Sequence, residues 1–278
     1  MSTSDFTVLL WAGSLVAGFF GALTGLGGGV VIVPLLALGF GVNIRYAIGA
    51  SLISVIATSS GAASSYVKEG QSNIRIGMFL EIATTLGALA GAFLAQKIPT
   101  SSIAIIFGVL LLYSAITSVR PPRPTPSDSR MDSIATYLKM NSSYPTPEGG
   151  RDYYVHNVPA GFAMMFGAGT VSGLLGIGAG VVKVIAMDKM MRIPFKVSTT
   201  TSNFMIGVTA AASAGVYLNR GYIAPGLAFP VMLGVLAGAY LGSRALARAS
   251  TPALRRLFSL IILVLAFEMI YRGVTGKL

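Results

Sequence analysis

The sequence has no cysteine and a single histidine, His156. The first absence excludes a disulfide framework, a thiolate metal site and a cysteine nucleophile. The second excludes a metal centre built from several histidines. Charge is also scarce. Asp, Glu, Lys and Arg make up 10% of the 278 residues, where a soluble domain carries about 25%. No matched carboxylate pair or nucleophile–base set appears, so the chain is read as a non-enzyme without cofactor or metal.

What is present is apolar. Hydrophobic residues make up 54% of the chain, and the mean hydropathy is +0.74. A soluble core of that composition would leave little polar surface for water, so an integral membrane protein is expected. The net charge of +11 does not point to nucleic acid. The basic residues sit at the edges of apolar runs, as the bias of Lys and Arg toward the cytoplasmic face of membranes predicts. The N-terminal run carries Asp5 in place of a positive region. It also outlasts the apolar core of a signal peptide, and is read as a retained segment.

Six runs have the roughly 20 residues a bilayer crossing needs: Tyr46–Val67, Ile74–Gln96, Ser102–Val119, Ser198–Leu218, Ile223–Ser243 and Ala253–Tyr271. Two others, Val8–Phe40 and Pro159–Met191, have 33 residues each, about 50 Å as a straight helix. Each has a glycine cluster near its middle, Gly25-Leu26-Gly27-Gly28-Gly29 and Gly176-Ile177-Gly178-Ala179-Gly180. Glycine is where a helix breaks most cheaply. Each long run is therefore expected to be a helix, an irregular break and a short second helix.

The clusters lie 151 residues apart, and the offset holds without gaps: Ser51 meets Ser202, Thr58 meets Thr209, Gly87 meets Gly238 and Phe107 meets Phe258. Such a register favours duplication, a hallmark of transporter folds. The expected organisation is a first membrane repeat over 1–119, a soluble connector over 120–158 and a second membrane repeat over 159–278. The fold class is all-α, with a glycine-broken segment and three transmembrane helices per repeat. The connector opens with Pro121-Pro122-Arg123-Pro124-Thr125-Pro126, a stiff start. Its Asn141-Ser142-Ser143 sequon is a common chance match.

Charge bears on orientation. If each broken segment crosses once, the repeats are parallel and the cations divide almost evenly. If each is re-entrant, the repeats are inverted. One side then holds Lys68, Arg75, the connector cations, Lys189, Arg192, Lys196, Arg244, Arg248, Arg255 and Arg256, and the other only Arg45, Lys97, Arg220, Arg272 and Lys277. The positive-inside bias favours the inverted arrangement, with the connector cytoplasmic and both termini outside.

The breaks carry the chemistry. Irregular backbone at membrane depth is tolerated only beside protein or a watery cavity. Each new helix start offers unpaired N–H groups and the positive end of a dipole. Two facing starts at the midplane would bind an anion. The candidate residues are Gly25, Gly27, Gly28, Gly29, Gly176, Gly178, Ala179 and Gly180. Close helix packing is the alternative role for these glycines. Lys183 lies three residues beyond Gly180 in an apolar stretch, where a lysine is costly and a functional candidate. Snorkelling or pairing with Asp188 is its alternative. Ser51, Ser202 and Asn203, near helix starts, either touch an oxyanion or bond between helices. For Ser54 and Ser59 the interhelical role is expected, and for Thr199 and Thr200 helix capping. Glu81 and Glu268 are the acidic residues inside apolar runs. A proton relay is conceivable at each, but both sit near predicted helix ends, which favours water access or a surface ion pair.

These residues resemble a known family. Gly25-Leu26-Gly27-Gly28-Gly29 with Pro34 and Ala50-Ser51 is similar to the first signature of the TauE/SafE sulfite exporter family. Gly173 to Lys183, followed by Thr201-Ser202-Asn203, resembles the second. The resemblance covers nearly all of the chain except the connector. It implies a multi-pass protein of a prokaryotic inner membrane that moves sulfite, sulfonates or related small organic anions. It also places Lys183 within the family pattern. Two positions depart from it. Ala179 replaces the usual glycine, still allowing a tight turn, and Ile185 replaces a common proline, implying a straighter second half-helix. A secondary carrier is the leading reading, with an anion channel or a membrane scaffold as alternatives. The expected partners are a small anion and membrane lipid, with self-association left open.

Overall fold

The computed structural model describes residues 3–24, 28–68, 72–119, 132–146, 149–246 and 251–276. Gly25 and Gly27 lie outside the described residues, as does the proline-rich opening of the connector. Helices dominate, in the order α1 (Thr3–Thr24), α2 (Gly29–Pro34), α3 (Ile44–Lys68), α4 (Ile74–Lys97), α5 (Thr100–Val119), α6 (Ser133–Tyr137), α7 (Val158–Leu175), α8 (Gly180–Ile185), α9 (Phe195–Asn219), α10 (Pro225–Leu246) and α11 (Thr251–Thr275). Among the described residues, Ile74–Lys97, Val158–Leu175 and Pro225–Gly242 are long and apolar enough to cross a membrane.

Both over-long runs break where the glycines predict. A π-helical turn follows each short helix, Leu35–Gly39 after α2 and Ala186–Met190 after α8. The second half-helix therefore ends as the first does, although Ile185 stands in for proline. The turn does not depend on Pro34, which lacks an N–H.

Residues at the two ends of each long run touch. The rings of Phe6 and Phe40 meet edge to face at 5.7 Å, and Leu35 lies against Gly13. In the second segment His156 N donates to the Met191 carbonyl at 3.0 Å, and Asn157 Nδ2 to the Met190 carbonyl at 3.3 Å.

Packing crosses between the halves of the chain. α1 lies on α10, α7 on α4, α3 on α9 and α5 on α11. The seams are built on small residues, which let backbones approach closely. A methyl at Gly169 of α7 would strike the Thr84 carbonyl of α4, and one at Gly173 the Ala88 carbonyl. The register rises together on both helices, so α4 and α7 run parallel. α5 and α11 run antiparallel: Ser259 Oγ donates to the Ala115 carbonyl at 2.9 Å, while Gly273 lies against Ser101.

An all-helical reading omits a small hairpin in the connector, β1 (Ser142–Thr146) and β2 (Gly149–Tyr153), paired antiparallel from Ser142↔Tyr153 to Thr146↔Gly149. The described part of the connector docks on the start of α4. Met140, Tyr153 and Val155 are buried in one cluster with Ile76 and Leu80, and Asn73 Nδ2 donates to Tyr153 Oη at 2.7 Å. Burial pushes the Tyr153 phenol above its usual range. Asp132 caps α6 and reaches α7: its carboxylate accepts from Ile134 N at 2.9 Å and from Val158 N at 3.1 Å. Partial burial works to raise its pKa. The N–H donors of Val158, Ile134 and Ala135, with His156 nearby, outweigh that and hold it below the usual carboxylate value.

Candidate functional site

The two breaks meet. A methyl placed on Gly29 would lie 2.8 Å from Ser51 Oγ and 3.2 Å from the Gly176 carbonyl oxygen. Ser51, fully buried, donates to that same carbonyl at 2.8 Å. A backbone carbonyl freed by the break is thereby satisfied, as buried polar groups must be. Ser202 serves the second break itself, donating to the Gly180 carbonyl at 3.3 Å.

The second break is shaped by left-handed backbone. Gly176 and Gly178 have φ of +68° and +71°, and Ala179, the N-cap of α8, has +47°. An L-residue pays about 1–2 kcal/mol there, so the alanine does permit the turn, with strain. Gly28, the N-cap of α2, has ordinary helical backbone. A cavity of ≈ 10 Å³ lies beside the breaks, bordered by Val30, Leu111, Ile177, Ala179 and Gly180. That is about the room of one water, too little for an oxyanion in this conformation.

Asn203 bonds to α3 through its backbone. Ser59 Oγ of α3 donates to the Asn203 carbonyl at 2.5 Å and accepts from Gly207 N at 2.9 Å. These two groups are four residues apart on α9, so the hydroxyl takes the place of a helical hydrogen bond. Insertions of this kind bend helices.

Lys183 is fully buried. Its partner is Thr209, not Asp188: Nζ donates to Thr209 Oγ1 at 2.5 Å. Thr209 Oγ1 in turn lies 2.6 Å from Glu81 Oε1, as a donor to the carboxylate. Thr85 Oγ1 donates to the same Oε1 at 3.2 Å. Glu81 is 8% exposed, so the expectation of water access or a surface ion pair is corrected. Packing of α4 against α7 and α9 encloses it. Glu268 behaves as expected, pairing with Arg272 at 2.8 Å on a partly exposed face. Thr209 carries no mark of this role in the sequence, whereas Glu81 does. The available signal was a carboxylate seven residues inside a helix with no other charge between Arg75 and Lys97.

A fully buried lysine thus lies among apolar helices, three residues beyond the second break. The family model for the sulfite exporter TauE/SafE matches residues 10–269. The chain belongs to the TauE/SafE family. It is 26% identical over 277 residues to the probable membrane transporter protein YunE of Bacillus subtilis (strain 168), covering 97% of this chain and 99% of that one. It is 27% identical over 231 residues to YdhB of the same organism, also named a probable membrane transporter protein, with 83% and 84% covered. An archaeal relative, MJ0441 of Methanocaldococcus jannaschii, is 24% identical with 92% of each chain covered. No solved structure matches. As a TauE/SafE member the protein is a membrane transporter, and both glycine clusters and Lys183 fall within the matched region.

Proposed function

We infer that the protein is a secondary carrier of a small anion, such as sulfite, a sulfonate or a related organic anion, in a prokaryotic inner membrane. The anion binds between the two glycine breaks, near the bilayer midplane. The observation that carries this reading is Lys183, a fully buried cation three residues beyond the second break, and the contact of Gly29 with Gly176 brings the two breaks together. A cation at that depth is costly without an electrostatic task. The sulfur oxyanion comes from the family's description as a sulfite exporter.

Inverted repeats with re-entrant hairpins complete the reading. Support comes from the element starts, since α2 and α8, α3 and α9, α4 and α10, and α5 and α11 each begin 151 residues apart. The equivalent helices α5 and α11 are antiparallel, as copies of opposite orientation require. Because the chain has no cysteine, Asp5→Cys and Gly150→Cys report sidedness directly. The inverted arrangement expects labelling from opposite faces, and labelling from the same face overturns it.

Purified protein in liposomes tests the carrier. Uptake of sulfite or of an alkanesulfonate is expected to saturate, and Lys183→Ala to lower it while the chain still inserts. Unchanged uptake in Lys183→Ala removes the lysine from the site. Single-channel currents would favour a channel instead.

A further inference from the structure

The chain Glu81–Thr209–Lys183 has one more property that anion binding alone does not use. Glu81 Oε1 accepts from Thr209 and Thr85, while Oε2 is buried with no hydrogen-bond partner. Among the described residues Lys183 Nζ has one acceptor, Thr209 Oγ1, of the three its ammonium can use. The carboxylate and the ammonium therefore share a hydroxyl, and each keeps unused capacity.

The charges around them are few. α7 carries no titratable side chain, and α9 carries Lys196 at its exposed start and Tyr217, whose hydroxyl donates to the Gly173 carbonyl. Lys183 on α8 is the charge that faces Glu81. In a site of low dielectric a lone charge is strongly disfavoured, whereas a paired one is tolerated. Lys183 neutralises Glu81 when the site is empty. An anion arriving at Lys183 competes for that single positive charge and leaves the carboxylate uncompensated.

We propose that Glu81 is the proton-binding site of the carrier, taking up a proton on Oε2 as the anion engages Lys183, so that one proton travels with each monovalent anion. The inference rests on the anion-carrier reading above. The step adds one proton to the carboxylate and breaks no other bond. Lys183 keeps its charge and turns from Glu81 to the anion, while Thr209 bridges the two groups. Binding of the two ligands is then reciprocal: protons favour the anion and the anion favours protons. The net charge of the loaded site equals that of the empty one, which is what a buried site must maintain in order to move.

The test uses the full-length protein in liposomes holding a trapped pH indicator, with methanesulfonate as the probe. That acid is too strong for the anion to carry a proton itself. The expected result is proton entry in step with labelled methanesulfonate, accumulation driven by an inward proton gradient, and loss of both the proton movement and the gradient-driven accumulation in Glu81→Gln. Glu268→Gln retains both. Methanesulfonate entry without protons overturns the coupling while leaving the carrier intact. Gradient-driven accumulation persisting in Glu81→Gln removes Glu81 from it. If neither methanesulfonate nor sulfite enters the wild-type liposomes, the carrier reading itself falls. Should Glu81→Gln fail to insert, Glu81→Asp takes its place: it keeps a carboxylate in altered surroundings, and methanesulfonate accumulation with an unchanged pH dependence removes Glu81 from the coupling.

Discussion

The hydroxyl of Ser51 donates to the carbonyl of Gly176 at 2.8 Å, joining residues 125 positions apart in the chain. One belongs to α3, the helix that follows the first broken segment, and the other to the second break itself. The bond ties the two halves at the point where the anion is inferred to bind. Ser51→Ala leaves a buried carbonyl without its donor, a loss of roughly 1–3 kcal/mol. A lowered melting temperature in detergent is expected, with a smaller shift for Ser202→Ala, whose bond is longer at 3.3 Å. Equal shifts would contradict this ranking.

Gly29→Ala probes the contact between breaks without backbone strain. Its methyl would lie 2.8 Å from both Ser51 Oγ and Val55 Cγ2 of α3 and 3.2 Å from the Gly176 carbonyl oxygen, so α2 must shift away from α3 and the second break. The chain is expected to insert normally, by protease mapping, and to lose anion uptake. Normal uptake would show that the contact is dispensable.

Removing one member of the buried charge pair differs from removing both. Lys183→Met strands the Glu81 carboxylate in the interior, at a cost of roughly 3–5 kcal/mol. Lys183→Met with Glu81→Gln leaves no charge behind and is expected to recover most of that loss, without restoring uptake. Thermal unfolding of the two single variants and the double variant measures this. Additive losses would mean that the two groups do not interact.

The glycine seam makes a contrast within one helix. At Gly169 an added methyl meets the Thr84 backbone, whereas at Gly167 it meets open space. Gly169→Ala is expected to lower the yield of folded protein sharply. Gly167→Ala is expected to stay within about 1 kcal/mol of wild type.

The connector has its own pH response. Asp132 titrates below its ordinary value of 3.8 because Val158, Ile134 and Ala135 donate to the charged form. Its contribution is fully present above pH 3.8 and is lost as pH falls from there through the lowered value. Amide exchange at Ile134 and Val158 is expected to stay protected at neutral pH and to rise in that acid window. Asp132→Asn should abolish the pH dependence.

Much of this was legible in the chain. Apolar runs of bilayer length located the helices to within a few residues, because each run must satisfy its own backbone by helix formation. The glycine clusters located both breaks, because an over-long segment must interrupt where the backbone is least constrained. The 151-residue offset anticipated the matching element starts, and Lys183 was visible as a charge in an apolar stretch. The hairpin in the connector was hidden, since its residues alternate weakly and its stability comes from docking on Ile76 and Leu80.

The sequence by itself determined that the chain enters a membrane, where its helices break and which lysine lies beside a break. Only the tertiary structure decided what each helix face meets. On α4 the outward Met78, Ile82, Leu86 and Phe93 are as apolar as the inward Ile76, Leu80 and Ala83. In water, polarity marks the outer face of a helix, but lipid accepts the same residues that a protein core does. No periodicity could therefore say that Glu81 points inward. That, and its bridge through Thr209 to Lys183, came from the packing of α4 against α7 and α9, helices of the other half of the chain.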